Sequence, residues 1–162
     1  GGINWITQNS LTNLWLYGVD VVDENTVFAV GVYTINGFSS GRIYKTTDGG
    51  ITWNQILGGG SIFFDVVFTD FSNGTVVGIG TIIKTNDGGI TWTPQISMPP
   101  EGISFFNGVS FTNSNEGIAV GYGGSTLRTT NGGSNWIQVA EGGSKQFFGI
   151  SFIILNSLLI II

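Results

Sequence analysis

The 162-residue chain contains no cysteine and no histidine. The absence of cysteine excludes disulfides, thiolate nucleophiles and sulfur ligands for metals from this segment. The absence of histidine removes the commonest general base and the commonest metal ligand. We therefore expect no catalytic residue, no cofactor and no metal site in this chain.

Charge is also scarce, because Asp, Glu, Lys and Arg make up only 9% of the residues and the net charge is -5. Five scattered basic residues provide no electrostatic surface for nucleic acid or for an anionic membrane. The apolar stretch near the end of the chain is interrupted and shorter than the roughly 20 residues of a membrane-spanning helix. For residues 153–162 we expect a divergent pair of strands rather than a membrane span.

The chain is instead rich in glycine, aromatic and β-branched residues. The chain has 27 glycines and 13% aromatic residues, and no segment keeps a helical period. Short alternating apolar runs are separated by turn residues, a pattern typical of strands. The sequence predicts an all-β fold.

An eight-residue motif occurs three times, and its closing tryptophans are 39 and 44 residues apart. A period in this range indicates stacked units of supersecondary structure. A second marker keeps the same register, since Val19, Val66 and Val109 each precede a glycine by 12 residues. The shared motif positions are Thr46, Asp48, Gly49, Gly50 and Trp53; Thr85, Asp87, Gly88, Gly89 and Trp92; and Thr129, Asn131, Gly132, Gly133 and Trp136.

Turn geometry explains the residue types of this motif. The Asp or Asn accepts hydrogen bonds from backbone N–H groups just ahead, and the glycines adopt positive φ. The motif therefore predicts a tight hairpin between the third and fourth strands of each unit, with the tryptophan on the fourth strand and buried between sheets. We interpret the motif as structural rather than ligand-binding.

Two further features recur with the motif. Asp23, Asp70 and Asn113 stand at one turn position and are interpreted as turn formers. The cations Lys45, Lys84 and Arg128 share a register, for which a solvated face is favoured over a partner-binding strip.

These units predict a β-propeller of four-stranded antiparallel blades, with about three complete blades and partial blades at both ends. Because the first residues match the end of the motif and the last residues match the start of a unit, we interpret the chain as part of a longer protein whose remaining blades are missing. Made alone, such an arc is expected to associate or to be poorly soluble. The predicted blades are residues 17–60, 61–103 and 104–145, with the end of a preceding blade in 1–16 and the start of another in 146–162.

The motif resembles the Asp box, Ser/Thr-x-Asp-x-Gly-x-Thr-Trp, of the bacterial neuraminidase repeat class. The longer pattern of Val-x-Phe, Val-Gly and Thr-x-Asp-Gly-Gly-x-Thr-Trp resembles the photosystem II assembly factor family. This resemblance covers nearly the whole chain and implies a β-propeller that holds a membrane-protein partner during assembly. It also favours a secreted or cell-envelope location, although no targeting segment is present to read one from.

Two functions are compatible with such repeats. The favoured one is a non-catalytic binding or scaffold propeller for a protein, cell-surface or glycan partner. The longer insertion of the first unit, residues 34–41, is the best place for specificity, with Tyr33 and Phe38 as candidate contacts.

The alternative is a fragment of an Asp-box glycoside hydrolase, sialidase-like or glucanase-like, with its catalytic residues largely outside this segment. Asp20, Asp65 and Glu101 are the carboxylates placed near candidate loops for such chemistry. Only two arginines are present, too few for the carboxylate-binding cluster that a sialidase needs.

Overall fold

The computed structural model describes residues 7, 14–97, 105–140, 143–153 and 158–161. The first sheet contains β1 (Leu14–Val21), β2 (Val27–Ile35), β3 (Phe38–Thr46) and β4 (Asn54–Gly58). The second contains β5 (Phe63–Phe68), β6 (Gly74–Gly78), β7 (Thr81–Thr85) and β8 (Thr93–Ser97). The third contains β9 (Phe106–Phe111), β10 (Gly117–Gly121), β11 (Thr126–Thr129) and β12 (Ile137–Ala140).

In each of these sheets the four strands are neighbours in chain order and run antiparallel. A fourth, two-stranded sheet pairs β13 (Ile150–Ile153) with β14 (Leu158–Ile161). The prediction of an all-β fold made of four-stranded antiparallel blades is therefore confirmed. The preceding blade predicted in 1–16 lies outside the described residues, apart from Thr7 and residues 14–16, and Leu14 already begins β1.

The sheets pack face to face, and the core lies between them. Phe28, Val30 and Ile43 of the first sheet meet Val66 and Val76 of the second. The same kind of layer lies between the second and third sheets, where Val77 and Ile82 meet Val109 and Ala119. Because each layer uses the same repeat positions, burial between neighbours replaces a single central core.

The outer side of the first sheet breaks this pattern. Val19 is 65% exposed, whereas its repeat counterparts Val66 and Val109 are 3% and 4% exposed. Leu16 and Val21 are exposed as well. The first sheet therefore carries the apolar residues that pack against a preceding sheet elsewhere in the molecule, but among the described residues nothing covers them.

The first strand of each sheet lies next to the first strand of the following sheet. Gly31 lies within β2, whereas Gly78 and Gly121 end β6 and β10, and each of them faces the start of the first strand of its own sheet. A Cβ at Gly31, Gly78 or Gly121 would lie 1.7–2.0 Å from the carbonyl oxygen of Trp15, Ile62 or Phe105, respectively. Only glycine fits there, which explains the second sequence marker.

Each sheet has two rims. On one rim, the turn between the first and second strands of a sheet contacts the turn between its third and fourth strands. The N–H of the later turn donates to a backbone carbonyl of the earlier one in all three sheets, from Gly49, Gly88 and Gly132. We call this side the Asp-box rim. The hairpins between second and third strands lie on the opposite rim, together with the connections from one sheet to the next.

The structure corrects the predicted position of the tryptophans. Trp53, Trp92 and Trp136 lie one residue before the fourth strand rather than on it. In the second sheet, residues 86–92 all belong to the turn, so β8 begins at Thr93. The insertion at 34–41 forms the tip of a long hairpin.

Candidate functional site

The Asp-box turns are the most regular sites in the molecule. In the first, the Thr46 hydroxyl donates to Asp48 at 2.7 Å and accepts from the N–H groups of Asp48 and Gly50. Asp48 also accepts from the backbone N–H and the hydroxyl of Thr52 at 2.9 and 2.7 Å. The second turn repeats this network with Thr85, Asp87, Gly89 and Thr91.

These hydrogen bonds hold the two carboxylates in their ionised form. Donation from the Thr52 backbone N–H and hydroxyl and from Thr46 lowers the pKa of Asp48 to about 2. For Asp87, the Thr91 hydroxyl contributes most, followed by the Thr91 N–H, and the pKa is again about 2. Each carboxylate oxygen of Asp48 and Asp87 has a protein donor, so the turn itself accounts for the aspartate at this position.

The third turn is a weaker version of the other two. Asn131 accepts from the Thr129 hydroxyl at 3.1 Å and from the Asn135 N–H at 2.9 Å through the same oxygen. Thr129 still accepts from Gly133 at 2.8 Å. An amide in place of the carboxylate leaves this turn with neutral hydrogen bonds.

Trp92 and Trp136, which close the second and third turns, pack edge-on against phenylalanines of their own sheets. The Phe68 and Trp92 rings are 6.2 Å apart and perpendicular, and Phe111 and Trp136 are related in the same way. The indole N–H groups of Trp92 and Trp136 are buried and have no acceptor among the described residues. Apolar and ring contacts therefore position these two side chains.

The repeated cations are not simply a solvated face, so that expectation is wrong for Lys45. Its ammonium group donates to the Gly88 carbonyl of the next Asp-box turn at 2.9 Å and lies 5.1 Å from the centre of the Phe28 ring. Lys84 approaches Gly132 of the third turn similarly. Arg128 instead pairs with Glu116 at 3.5 Å on the surface. Lys45 therefore connects the first two sheets, and Lys84 lies beside the Asp-box turn of the third.

The three turn formers behave as predicted. Asp23, Asp70 and Asn113 each accept from the backbone N–H groups two and three residues ahead, at 2.7–3.0 Å. Their role as turn formers is confirmed.

Tyr33 and Phe38, the predicted partner contacts, lie in the long hairpin of the first sheet. Its two nine-residue strands extend past the corresponding strands of the other sheets, which have four or five residues. Asn36 and Gly37, both with positive φ, form the turn. Phe38 is 78% exposed at the tip, whereas Tyr33 is half-buried under the Arg42 guanidinium, 5.2 Å from its ring centre.

A set of exposed aromatic side chains on the opposite rim was missed by sequence reasoning. Tyr17 contacts Phe64 edge-on at 5.4 Å, and Phe105 contacts Tyr122 at 6.0 Å. Backbone hydrogen bonds connect the segments that carry these rings. The Tyr122 N–H donates to the Phe105 carbonyl, and the Phe147 N–H donates to the Gly121 carbonyl. We call the exposed members the aromatic arc: Trp15, Tyr17, Phe105, Tyr122 and Phe148.

The carboxylates considered for glycosidase chemistry are engaged by backbone groups. Asp20 accepts from the N–H groups of Val21 and Phe68, and Asp65 accepts from those of Val66 and Val109. Both therefore connect neighbouring inner strands. Burial raises the pKa of Asp65 to about 6, against the opposing effect of its two hydrogen bonds. Glu101 lies outside the described residues.

The described part of the chain holds no group of three or more acidic side chains arranged to bind a metal ion. It also contains no helix long and apolar enough to cross a membrane.

Comparison with known proteins gives a family and a fold. The sequence model of photosynthesis system II assembly factor YCF48 matches residues 56–146. The structure of YCF48 bound to D1 peptide aligns with a TM-score of 0.70 and 20% identity, over 86% of this chain and 45% of that one. YCF48 from Cyanidioschyzon merolae aligns with a TM-score of 0.60 and 24% identity, over 83% and 40% of the two chains.

An enzyme shares the architecture too. The GH74 enzyme of Niastella koreensis aligns with a TM-score of 0.57 and 22% identity, over 79% of this chain and 24% of the enzyme. No curated protein sequence matches the chain. The chain spans less than half the length of each of these three structures.

Proposed function

This chain belongs to the family of the photosynthesis system II assembly factor YCF48, and on that premise we propose that it is part of a non-catalytic β-propeller that binds a protein partner. The bound D1 peptide of one similar structure supports a polypeptide as the ligand. We take residues 17–60, 61–103 and 104–145 as its blades, with the rest of the ring supplied by further blades.

The long hairpin of the first sheet is the observation that carries this proposal. Its length is not needed by the fold, because the second and third sheets form with shorter hairpins at the same place. Its tip exposes Ile35 and Phe38, and an exposed aromatic ring provides large contact area at a low entropic cost. We assign Phe38 as a partner contact and Tyr33 as its support, through the stack with Arg42.

The Asp-box residues have a structural role in this proposal. Their side chains satisfy each other and the turn backbone, as described above for Thr46 and Asp48. The three turns repeat at one rim, whereas recognition of one partner requires a place that differs from its repeats.

Overlapping 15-residue peptides of the D1 protein, immobilised and probed with the purified 162-residue chain, test the proposal. We expect at least one peptide to bind, and Phe38→Ser to weaken that binding by about tenfold. Phe71→Ser is the matched control, because Phe71 is 67% exposed on the Asp-box rim and lies outside the hairpin. Circular dichroism checks that both variants keep the wild-type fold. Absence of binding by the folded chain, or equal loss in both variants, would contradict the proposal.

A glycoside hydrolase fragment is the second candidate, and two observations favour it. The pKa of Asp65, raised to about 6, lies in the range of a general acid, and the GH74 enzyme shares the architecture. Against this, both oxygens of Asp65 accept backbone N–H groups. Release of sugar from β-glucan or sialoside substrates, abolished by Asp65→Asn, would establish this candidate and overturn the first.

A further inference from the structure

The turn at the tip of the long hairpin carries a chemically reactive pair of residues. In an Asn-Gly pair the backbone nitrogen of the glycine can attack the side-chain amide carbon of the asparagine, because glycine has no Cβ to hinder the approach. The sequence contains four such pairs, which begin at Asn36, Asn73, Asn107 and Asn131. The structure separates the first of them from the other three.

The other three asparagine side chains are held by hydrogen bonds. Asn73 donates to both carboxylate oxygens of Asp70 at 3.0 and 2.8 Å, and Asn107 donates to the Phe147 carbonyl at 2.7 Å. The side-chain oxygen of Asn131 accepts two hydrogen bonds within the third Asp-box turn. Since the glycines that follow these asparagines are buried, attack at any of the three sites requires local opening of a sheet or turn.

Asn36 and Gly37 have no such restraint. Both residues are exposed, and within the described part of the chain neither the Asn36 side chain nor the Gly37 N–H makes a hydrogen bond. Apart from the two chain neighbours, no atom lies within 4 Å of the place where a Cβ of Gly37 would stand. Only the last pair of the hairpin, Ile35 and Phe38, has to loosen for the two groups to meet, and such tips open at little cost in free energy.

The fold itself places this pair at an exposed point. The two-residue turn needs positive φ at both positions, and the angles are 51° at Asn36 and 79° at Gly37, which an Asn-Gly pair adopts readily. The hairpin continues for four residue pairs, from Val32 to Ile35 on β2, beyond the place where the second sheet turns. This is about 13 Å, so a neighbouring sheet built like the second or third does not reach the tip.

We propose that Asn36 is a site of spontaneous covalent modification, converted through a succinimide into isoaspartate and aspartate. The Gly37 nitrogen forms a bond to Cγ of Asn36 and gives up its proton, while the bond from Cγ to the amide nitrogen breaks and ammonia leaves. Water then opens the ring at either carbonyl, which gives aspartate or an isoaspartate whose main chain is one carbon longer. The reaction needs no enzyme and no co-reactant besides water, and the inference does not depend on the proposed function.

The modification changes the hairpin tip in two ways. Either product places a negative charge two residues from Phe38. Isoaspartate also lengthens a turn whose geometry is set for two ordinary residues, which disturbs the pairing of Ile35 with Phe38. The surface of this hairpin therefore changes with the age of the chain.

Incubation of the folded 162-residue chain in mildly alkaline buffer, followed by trypsin digestion and tandem mass spectrometry, tests the inference. Cleavage after the five basic residues puts the four Asn-Gly pairs on separate peptides, 1–42, 46–84, 85–128 and 129–145. We expect conversion at Asn36 to be faster by about tenfold or more than at the other three asparagines, because each of those sites has to open first. In urea, where the fold no longer protects them, the four rates should agree within about threefold.

Two variants provide the matched comparison. Asn36→Gln should abolish the modified form at position 36, because the longer side chain would have to close a less favourable six-membered ring. Asn73→Gln, at the corresponding change in a protected pair, should leave the rate at Asn36 within about twofold of the wild type, since Asn73 bonds to Asp70 and not to the hairpin.

Each rate is read as a ratio within one sample, so the result does not depend on how much of the chain is soluble. Conversion at Asn36 that is no faster than at the other three sites of the folded chain would overturn the inference. An equal preference for Asn36 in urea would overturn it too, because the neighbouring sequence and not the hairpin would then select the site. Absence of binding to D1 peptides would contradict the proposed function alone, since the conversion is measured without a partner.

Discussion

On the Asp-box rim, Thr46 and Thr85 hold their turns with the same set of hydrogen bonds, whereas on the opposite rim the hairpins differ in length from sheet to sheet. The first rim satisfies its polar groups internally. The second rim exposes Phe38 at the tip of one long hairpin, which the other two four-stranded sheets form without. The difference teaches that repetition here marks what the fold needs, and that departures from repetition mark the surface available to a partner.

The largest effect is expected from removing one hydroxyl on the Asp-box rim. In Thr85→Val the shape is kept, but the N–H groups of Asp87 and Gly89 lose their acceptor in a buried place. We expect the free energy of unfolding to fall by about 3 kcal/mol, measured by urea denaturation. Thr34→Val, at an exposed hydroxyl of the long hairpin, should cost less than about 0.5 kcal/mol. Equal losses in the two variants would remove the distinction between the rims.

The next-largest effect is expected at two glycines that have similar φ angles but differ in the space around them. Gly89 has φ +86° and no space, since a Cβ would lie 2.9 Å from the Phe28 ring, whereas Gly37 has φ +79° and open space around it. Gly89→Ala should lower the free energy of unfolding by about 2 kcal/mol and Gly37→Ala by about 1 kcal/mol, as only the first adds a steric clash to backbone strain. A larger loss at Gly37, measured by the same denaturation, would show that the hairpin and not the Asp-box rim limits stability.

The response to pH separates the rim carboxylates from the inner one. The pKa of Asp65 is raised to about 6, so its contribution to stability is complete below about pH 4 and is lost as the pH rises through about 6. The pKa values of Asp48 and Asp87 are lowered to about 2, so their contributions are present above about pH 4 and are lost as the pH falls through about 2.

Thermal melts between pH 2 and pH 8 are therefore expected to show a maximum on the acid side of neutrality. The decline above it, of roughly 5 °C, should flatten in Asp65→Asn, whose side chain carries no charge. A decline that persists unchanged in this variant would show that another group causes it.

The smallest effect should come from completing the weak third turn. Asn131→Asp supplies the carboxylate that the first two turns have, within reach of the same Thr129 hydroxyl and Asn135 N–H. A gain of about 0.5 kcal/mol in the free energy of unfolding is expected at neutral pH, because hydrogen bonds to an ionised acceptor are stronger. A loss of stability would indicate that the amide makes a bond that the carboxylate cannot replace.

Much of the architecture followed from the sequence because the repeat positions have local causes. Asp70 accepts from residues two and three ahead, and Gly78 has no room for a side chain, so each leaves a periodic trace in the chain. The hairpin tip also had a local signal that was missed, namely Asn36-Gly37, a pair typical of two-residue turns between strands.

The remaining features depend on contacts between sheets. Lys45 bonds to the carbonyl of Gly88, 43 positions further along the chain, and nothing near Lys45 indicates that partner. The aromatic arc likewise unites residues from the beginning, the middle and the end of the chain. Such sites become visible only when the curvature and order of the sheets are known.

The equivalence of Val19, Val66 and Val109 has an evolutionary consequence. Since one set of positions serves every junction between sheets, a gene that gains or loses a whole repeat by unequal recombination creates a junction of the same type. The number of repeats can then change in one step while the packing at each junction is kept.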